Sequence, residues 1–186
     1  MSKNVLLISD EILKDRTAIH GNIDPKLLYP EIKVAQDMYI HPILGTALYN
    51  KIINEVDDGT IGGAYKTLLD DYIIDCLLYY TLAGLPEALS YQFWAKGVVR
   101  KQGDNTELPN LSELASIADR YMQKAVFYGD RLNKHLKANA STSNLPEYLN
   151  GNDTEEDILP ENQTYYMPIY LGGDYTCRIE KYCSDE

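Results

Sequence analysis

Between Asp75 and Glu87 the chain runs for eleven residues without a charge. This stretch lies in a longer segment, Gly63 to Ala83, in which Tyr65, Leu68, Leu69, Tyr72, Ile73, Cys76, Leu77, Tyr79, Tyr80 and Ala83 step by three and four. The spacing is helical, and an apolar face this wide has to be covered by other helices. Eleven residues fall well short of the roughly 18 to 20 that cross a bilayer, so no membrane span is expected. The segment predicts an all-α body with this helix at its centre, stopped by Gly84 and Pro86.

Its neighbours follow from the same period and from helix punctuation. Ser9 is placed to cap a short helix over about 10–17, and Asp24 followed by Pro25 marks the start of one over about 25–40. His41-Pro42-Ile43-Leu44-Gly45 is expected to break that helix. A partner then begins near Thr46, with Leu48, Tyr49, Ile52, Ile53 and Val56 on one face, and ends at Asp57-Asp58-Gly59. Glu87 to Trp94 predicts a shorter helix. Lys96 to Asn105 reads as a short strand or hairpin loop and holds the one strongly basic spot, with Lys96, Arg100 and Lys101 as candidate lumen or partner contacts. A long helix over about 111–138 closes a bundle of about four to five helices, with Leu114, Ile117, Ala118, Tyr121, Ala125, Tyr128, Leu132 and Leu136 on one face.

Charge divides the chain differently. Residues 1–140 hold 18 acids and 15 bases, whereas residues 141–186 hold ten acids and two bases. The acidic tail nevertheless carries six tyrosines and the run Tyr165-Tyr166-Met167-Pro168-Ile169-Tyr170-Leu171. Solvated tails are poor in aromatics, so this composition predicts an arm that docks on a partner. The expected division is a helical body over 1–140 and an extended docking arm over 141–186, with Tyr148, Tyr165, Tyr166, Ile169, Tyr170 and Leu171 as its anchor. Asn150 to Glu161 is its charged spacer. No basic stripe of the kind that neutralises phosphates is present, which argues against wrapping nucleic acid.

Catalytic patterns are not evident. His20, His41 and His135 lie in separate segments without a ligand-spaced partner, and no metal or cofactor is expected. Cys177 and Cys183 fit neither a CxxC pair nor a zinc ribbon, and the odd count of three with an opening Met-Ser-Lys-Asn points to a reducing compartment. Asp71 and Asp75 share a helix face and, with Asp70, form the one arrangement that a divalent cation could use; a solvated face is the plainer reading. Gly172-Gly173 lacks the residues of a phosphate loop. A non-enzymatic protein is expected.

Several stretches in order resemble the helical head-tail connector (adaptor or ring) proteins of tailed bacteriophages, including those of crAss-like and other phages of Bacteroides-type hosts. They are Leu7-Ile8-Ser9-Asp10; Ile32 with Ala35-Gln36-Asp37, Ile40 and Pro42-Ile43-Leu44-Gly45-Thr46, Leu48 and Tyr49; Leu68-Leu69 with Asp71-Tyr72; and Lys96-Gly97-Val98-Val99. Ala125, Tyr128, Arg131 and Leu132, then Leu145-Pro146-Glu147-Tyr148, then Ile169-Tyr170-Leu171-Gly172 complete the set. The resemblance implies a homo-oligomeric ring, commonly of twelve copies, that joins the portal protein to neighbouring connector or tail rings. Genomic DNA would pass through its lumen without sequence-specific binding. The implied location is the virion, after assembly in the host cytoplasm. The acidic stretch Asn150 to Glu161 departs from a plain adaptor. The overall charge of -11 motivates one alternative, an acidic binding protein that mimics DNA or regulates a host enzyme.

Overall fold

The structure, a computed structural model, describes residues 4–94, 97–100, 110–150 and 158–160, with the backbone alone for 92–94, 97–100 and 150. Among these residues the fold is all-α apart from one pair of short strands. Helix α1 is Asp10–Arg16, capped by Ser9, whose hydroxyl accepts the Ile12 N–H at 3.2 Å. Helix α2 opens on the expected Asp24 cap, with Pro25 at its first position, where a missing N–H costs nothing. It runs as an α-helix over Pro25–Ala35, a π-helical turn over Gln36–Ile40 and a last α turn over His41–Leu44. Helix α3 is Thr46–Asp57. Helix α4 repeats the pattern of α2, with Gly63–Leu68, a π-helical turn at Leu69–Ile73, and Ile74–Ser90.

Two expected breaks move. The helix does not stop at His41-Pro42, because Pro42 is the second residue after the π turn, at the start of a new α turn. In the π turn the bonds reach one residue further back, His41 N–H pairing with Gln36 C=O, and the widened turn accommodates the ring. Nor do Gly84 and Pro86 stop α4. Leu82 and Leu85 are buried on either side of Gly84, and their packing outweighs the local cost of the breakers. The helix expected over 87–94 ends at Ser90 for the same reason: its first turn is the end of α4. Strand β1, Tyr91–Trp94, then pairs antiparallel with β2, Gly97–Arg100, in the register Tyr91 to Arg100 and Trp94 to Gly97.

Helix α5, Leu111–Asn139, starts at a reciprocal capping box in which Asn110 Oδ1 accepts the Glu113 N–H at 2.9 Å and Glu113 Oε2 accepts the Asn110 N–H at 2.8 Å. It lies antiparallel to α4, as the pairs Tyr72–His135, Asp75–Arg131 and Tyr79–Tyr128 show. A short helix α6, Pro146–Asn150, packs on α3. The core is built from α4 (Leu68, Ile73, Cys76, Leu77), α2 (Leu28, Ile32, Ile40), α3 (Leu48, Ile52) and the second half of α5 (Leu132, Leu136), with Leu13 of α1 and Leu7 and Ile8 of the segment before it against them. Burial pushes the Cys76 thiol up to about 12, so it is an inert core residue.

The boundary expected at residue 140 falls inside this body. Leu145 and Tyr148 belong to the core, and Tyr65 of α4 donates to Glu147 Oε2 at 2.6 Å. Burial, then Glu147, raises the Tyr65 pKa well above the usual phenol range, so the phenol stays a donor. The described helices leave no segment long and apolar enough to cross a membrane.

Candidate protein interfaces

The π turn of α2 places Gln36 inward, fully buried, where its amide joins three segments. Its Oε1 accepts the Leu7 N–H at 3.0 Å, and its Nε2 donates to the Val5 carbonyl at 3.1 Å and to Tyr49 Oη at 2.7 Å. The Tyr49 hydroxyl in turn donates to Asp37 Oδ1 at 2.9 Å, and the Lys33 ammonium reaches the same oxygen at 2.6 Å. Burial and the Asp37 carboxylate hold the Tyr49 phenol above its usual range despite the Gln36 bond. For Lys33, burial works to lower the pKa, but Asp37 and Tyr49 outweigh it and the net shift is upward. Every polar atom of the Gln36 side chain is thus engaged, which is what makes a buried amide tolerable in an apolar core.

At the adjoining corner between α2 and α3, Gly45 adopts φ +75° and ψ 157°, a region open essentially to glycine alone. A Cβ there would lie 2.6 Å from the Pro160 ring. Thr46 grips the same stretch: its N–H donates to the Ile158 carbonyl at 3.0 Å, and its Oγ1 accepts the Ile158 N–H at 3.2 Å. His41 Nε2 lies 2.9 Å from that oxygen, with the imidazole stacked on Tyr49 at 4.3 Å. Residues 158–160 are therefore clipped to the body at this corner.

The second candidate lies on the flank of the α4–α5 pair. Tyr79 and Tyr128 stack at 4.9 Å, and the Lys124 ammonium sits over Tyr79 at 5.9 Å and Tyr121 at 5.1 Å. With Arg120, Gln123 and Phe127 they line a shallow groove of about 570 Å³. Phe127 is 65% exposed, far more than a ring of that size needs for the fold. No carboxylate among the described residues forms an ion pair with Arg120 or Lys124. Burial, then Tyr79 and Asp75, raises the Tyr128 pKa. One turn away, Asp75 bridges Arg16 of α1 at 3.3 Å and Arg131 of α5 at 3.6 Å, while Arg131 and His135 lie over the Tyr72 ring.

These positions sort the sequence expectations. Tyr148 is 3% exposed and packs in the body's own core, so it is not an arm anchor; its apolar ring belongs to the face that α6 presents to α3. Tyr165, Tyr166, Ile169, Tyr170 and Leu171 lie outside the described residues, as do Lys96 and Lys101, and of Arg100 only the backbone is described. Part of the spacer, residues 158–160, is bound to the corner. Asp75 is committed to two arginines, and among the described residues no three His, Cys, Asp or Glu side chains converge on a point that could hold a metal ion. Gln36, Gly45 and Thr46 carry no chemical motif in the sequence. The signal for Gln36 was an amide at a helical position between the apolar Ile32, Ala35 and Ile40. Lys124 and Phe127 gave no signal, since their role depends on the register of α5 against α4.

No curated protein and no solved structure matches the chain. A family match does cover most of the body, beginning in the π turn of α2 and closing at the clip on Thr46, with residues 161–186 beyond it. The chain belongs to the family of unknown function DUF6712, whose model matches residues 40–158.

Proposed function

We propose that this protein is a non-enzymatic structural subunit of a phage head-tail connector, forming a ring that joins the portal to the tail around the DNA exit channel. In this reading the helical body is the wedge of the ring, with a β-like loop at 96–104 and an extended C-terminal arm that locks each copy to its neighbour or to the next ring. The observation that carries it is the corner between α2 and α3. The longest stretch of the connector resemblance, Ile32 to Tyr49, folds there into a fully bonded unit, and Thr46 and Gly45 hold residues 158–160 against it. A tail that leaves a rigid body from a fixed point is suited to bridging identical copies, because its reach is then the same in every subunit.

Exposed apolar side chains on two different helices also support lateral packing: Val34 and Met38 one turn apart on α2, and Ile117 and Phe127 on α5. The near balance of charge over residues 1–140 suits a lumen through which DNA slides, since a strongly cationic wall would retain phosphates. Negative-stain imaging of the purified full-length protein, alone and with a candidate portal, tests the reading. Closed rings, or rings that appear on the portal, support it. Monomers that ignore the portal, and whose binding to a host protein collapses with added salt, would replace it with the acidic-mimic alternative.

A further inference from the structure

We propose that the groove lined by Tyr79, Arg120, Lys124, Phe127 and Tyr128 is the receptor for the chain's own segment Tyr165–Leu171. This rests on the reading of the C-terminal residues as a docking arm. The chemistry of the two sides matches. The segment is rich in tyrosine and aliphatic side chains, the groups that stack on and fill an aromatic groove floored by Tyr79 and Tyr128 and edged by Phe127. Its uncharged core of twelve residues, Asn162 to Gly173, is bracketed by Glu161 and Asp174, and a further acidic group, Asp153, Glu155, Glu156 and Asp157, precedes it. The groove answers with Arg120 and Lys124, which no described carboxylate pairs. A carboxylate arriving at these cations gains a charge-assisted contact at a partly dry aromatic surface.

Reach is sufficient. The arm starts at Pro160, packed on Gly45, and the nearby Ile43 side chain already comes within 3.8 Å of a Cβ position at Gly129 of α5. Lys124 lies five residues back along α5 from Gly129, about 7.5 Å along the axis and about 140° around it, so the groove opens on a different face of α5 from the one that meets Ile43. The eleven steps from Pro160 to Leu171 span up to about 38 Å when extended, long enough for this segment to pass around α5 to the groove of its own body or to reach that of an adjacent copy.

The test uses the full-length protein with the photo-crosslinking residue p-benzoylphenylalanine at position 127, prepared as an equal mixture of isotopically light and heavy chains, irradiated and mapped by mass spectrometry. Crosslinks to residues 165–171 are expected. Light-to-heavy links support both this inference and the ring reading; links within one chain support the receptor and overturn the role of the arm as a lock between copies. Crosslinks confined to other segments, or none, overturn the receptor itself. In the Arg120→Glu, Lys124→Glu variant the yield should fall at least fivefold. An unchanged yield would overturn the charge matching on which the choice of occupant rests.

Discussion

The two halves of the surface that matter here are built on opposite rules. At the corner of α2 and α3 the buried Gln36 amide is fully partnered, a glycine occupies a conformation no other residue adopts at ease, and the backbone N–H and C=O of Ile158 are both bound by Thr46. Along the first half of α5, from Leu111 to Lys124, only Leu114 is buried, whereas Ala125, Gly129, Leu132 and Leu136 of the second half are all in the interior. Ile117 and Lys124 of the first half and Phe127 just beyond it are exposed, a surface the fold itself leaves uncovered among the described residues. The corner holds; the flank of α5 is the surface proposed to receive the arm. Substitutions should therefore cost stability at the first and association at the second.

The largest loss is expected from Gln36→Leu. The leucine keeps most of the volume but leaves the Leu7 N–H and the Val5 carbonyl without their partner and takes a donor from Tyr49, for a destabilisation of roughly 3 kcal/mol. Urea unfolding checks it, and a loss below about 1 kcal/mol would mean that the network does not hold the N-terminal segment. Gly45→Ala comes next at about 1 to 3 kcal/mol, from a disallowed backbone region plus a methyl driven into Pro160. This variant should also release residues 158–160, seen as faster amide exchange at Ile158. Phe127→Ser should alter body stability by less than about 0.5 kcal/mol, because the ring is mostly in solvent, while reducing self-association in sedimentation.

The smallest effect is a pH dependence. Burial, then the neighbouring Arg131, lowers the pKa of His135 below its ordinary 6.5, with Asp71 pulling the other way. The unfolded chain then binds the proton more readily than the folded one, so stability is full above about pH 6.5 and falls as pH drops through and below that value. The ring is half-buried against Tyr72, and because Asp71 opposes the shift the change is slight. Comparing urea midpoints at pH 7.5 and 5.5 for the native protein and His135→Asn isolates it: the native protein should lose more on acidification.

Much of the helical plan could be read in the chain, because it depends on local chemistry. The Asp24-Pro25 start of α2, the start of α5 at Leu111 and the end of α3 at Asp57 follow from caps and period. The errors fall where tertiary packing decides. Pro42 and Pro86 carry the signature of helix stops, yet a π turn absorbs one and the burial of Leu82 and Leu85 overrides the other. Tyr148 reads as part of the arm because it follows a run of small, mostly polar residues, Asn139 to Asn144. That run is a tight turn, with Ser141 and Asn144 bonded to each other in both directions, that returns the chain to the body. The groove was illegible for a different reason. Tyr79, Lys124 and Tyr128 are ordinary helix residues until α4 and α5 are set in register.

The body therefore extends to Pro160, and the arm to be tested is 161–186. Deleting those residues leaves the whole described core in place, whereas a cut at 145 would remove Leu145 and Tyr148 from it. The decisive measurement is electron-microscopic imaging of the full-length protein and of the 1–160 truncation, each mixed with a candidate portal, after matched urea midpoints show both to be folded. The connector account predicts rings on the portal with the full-length chain and their loss with the truncation. Rings of equal occupancy from the truncated protein, or none from either, would contradict it.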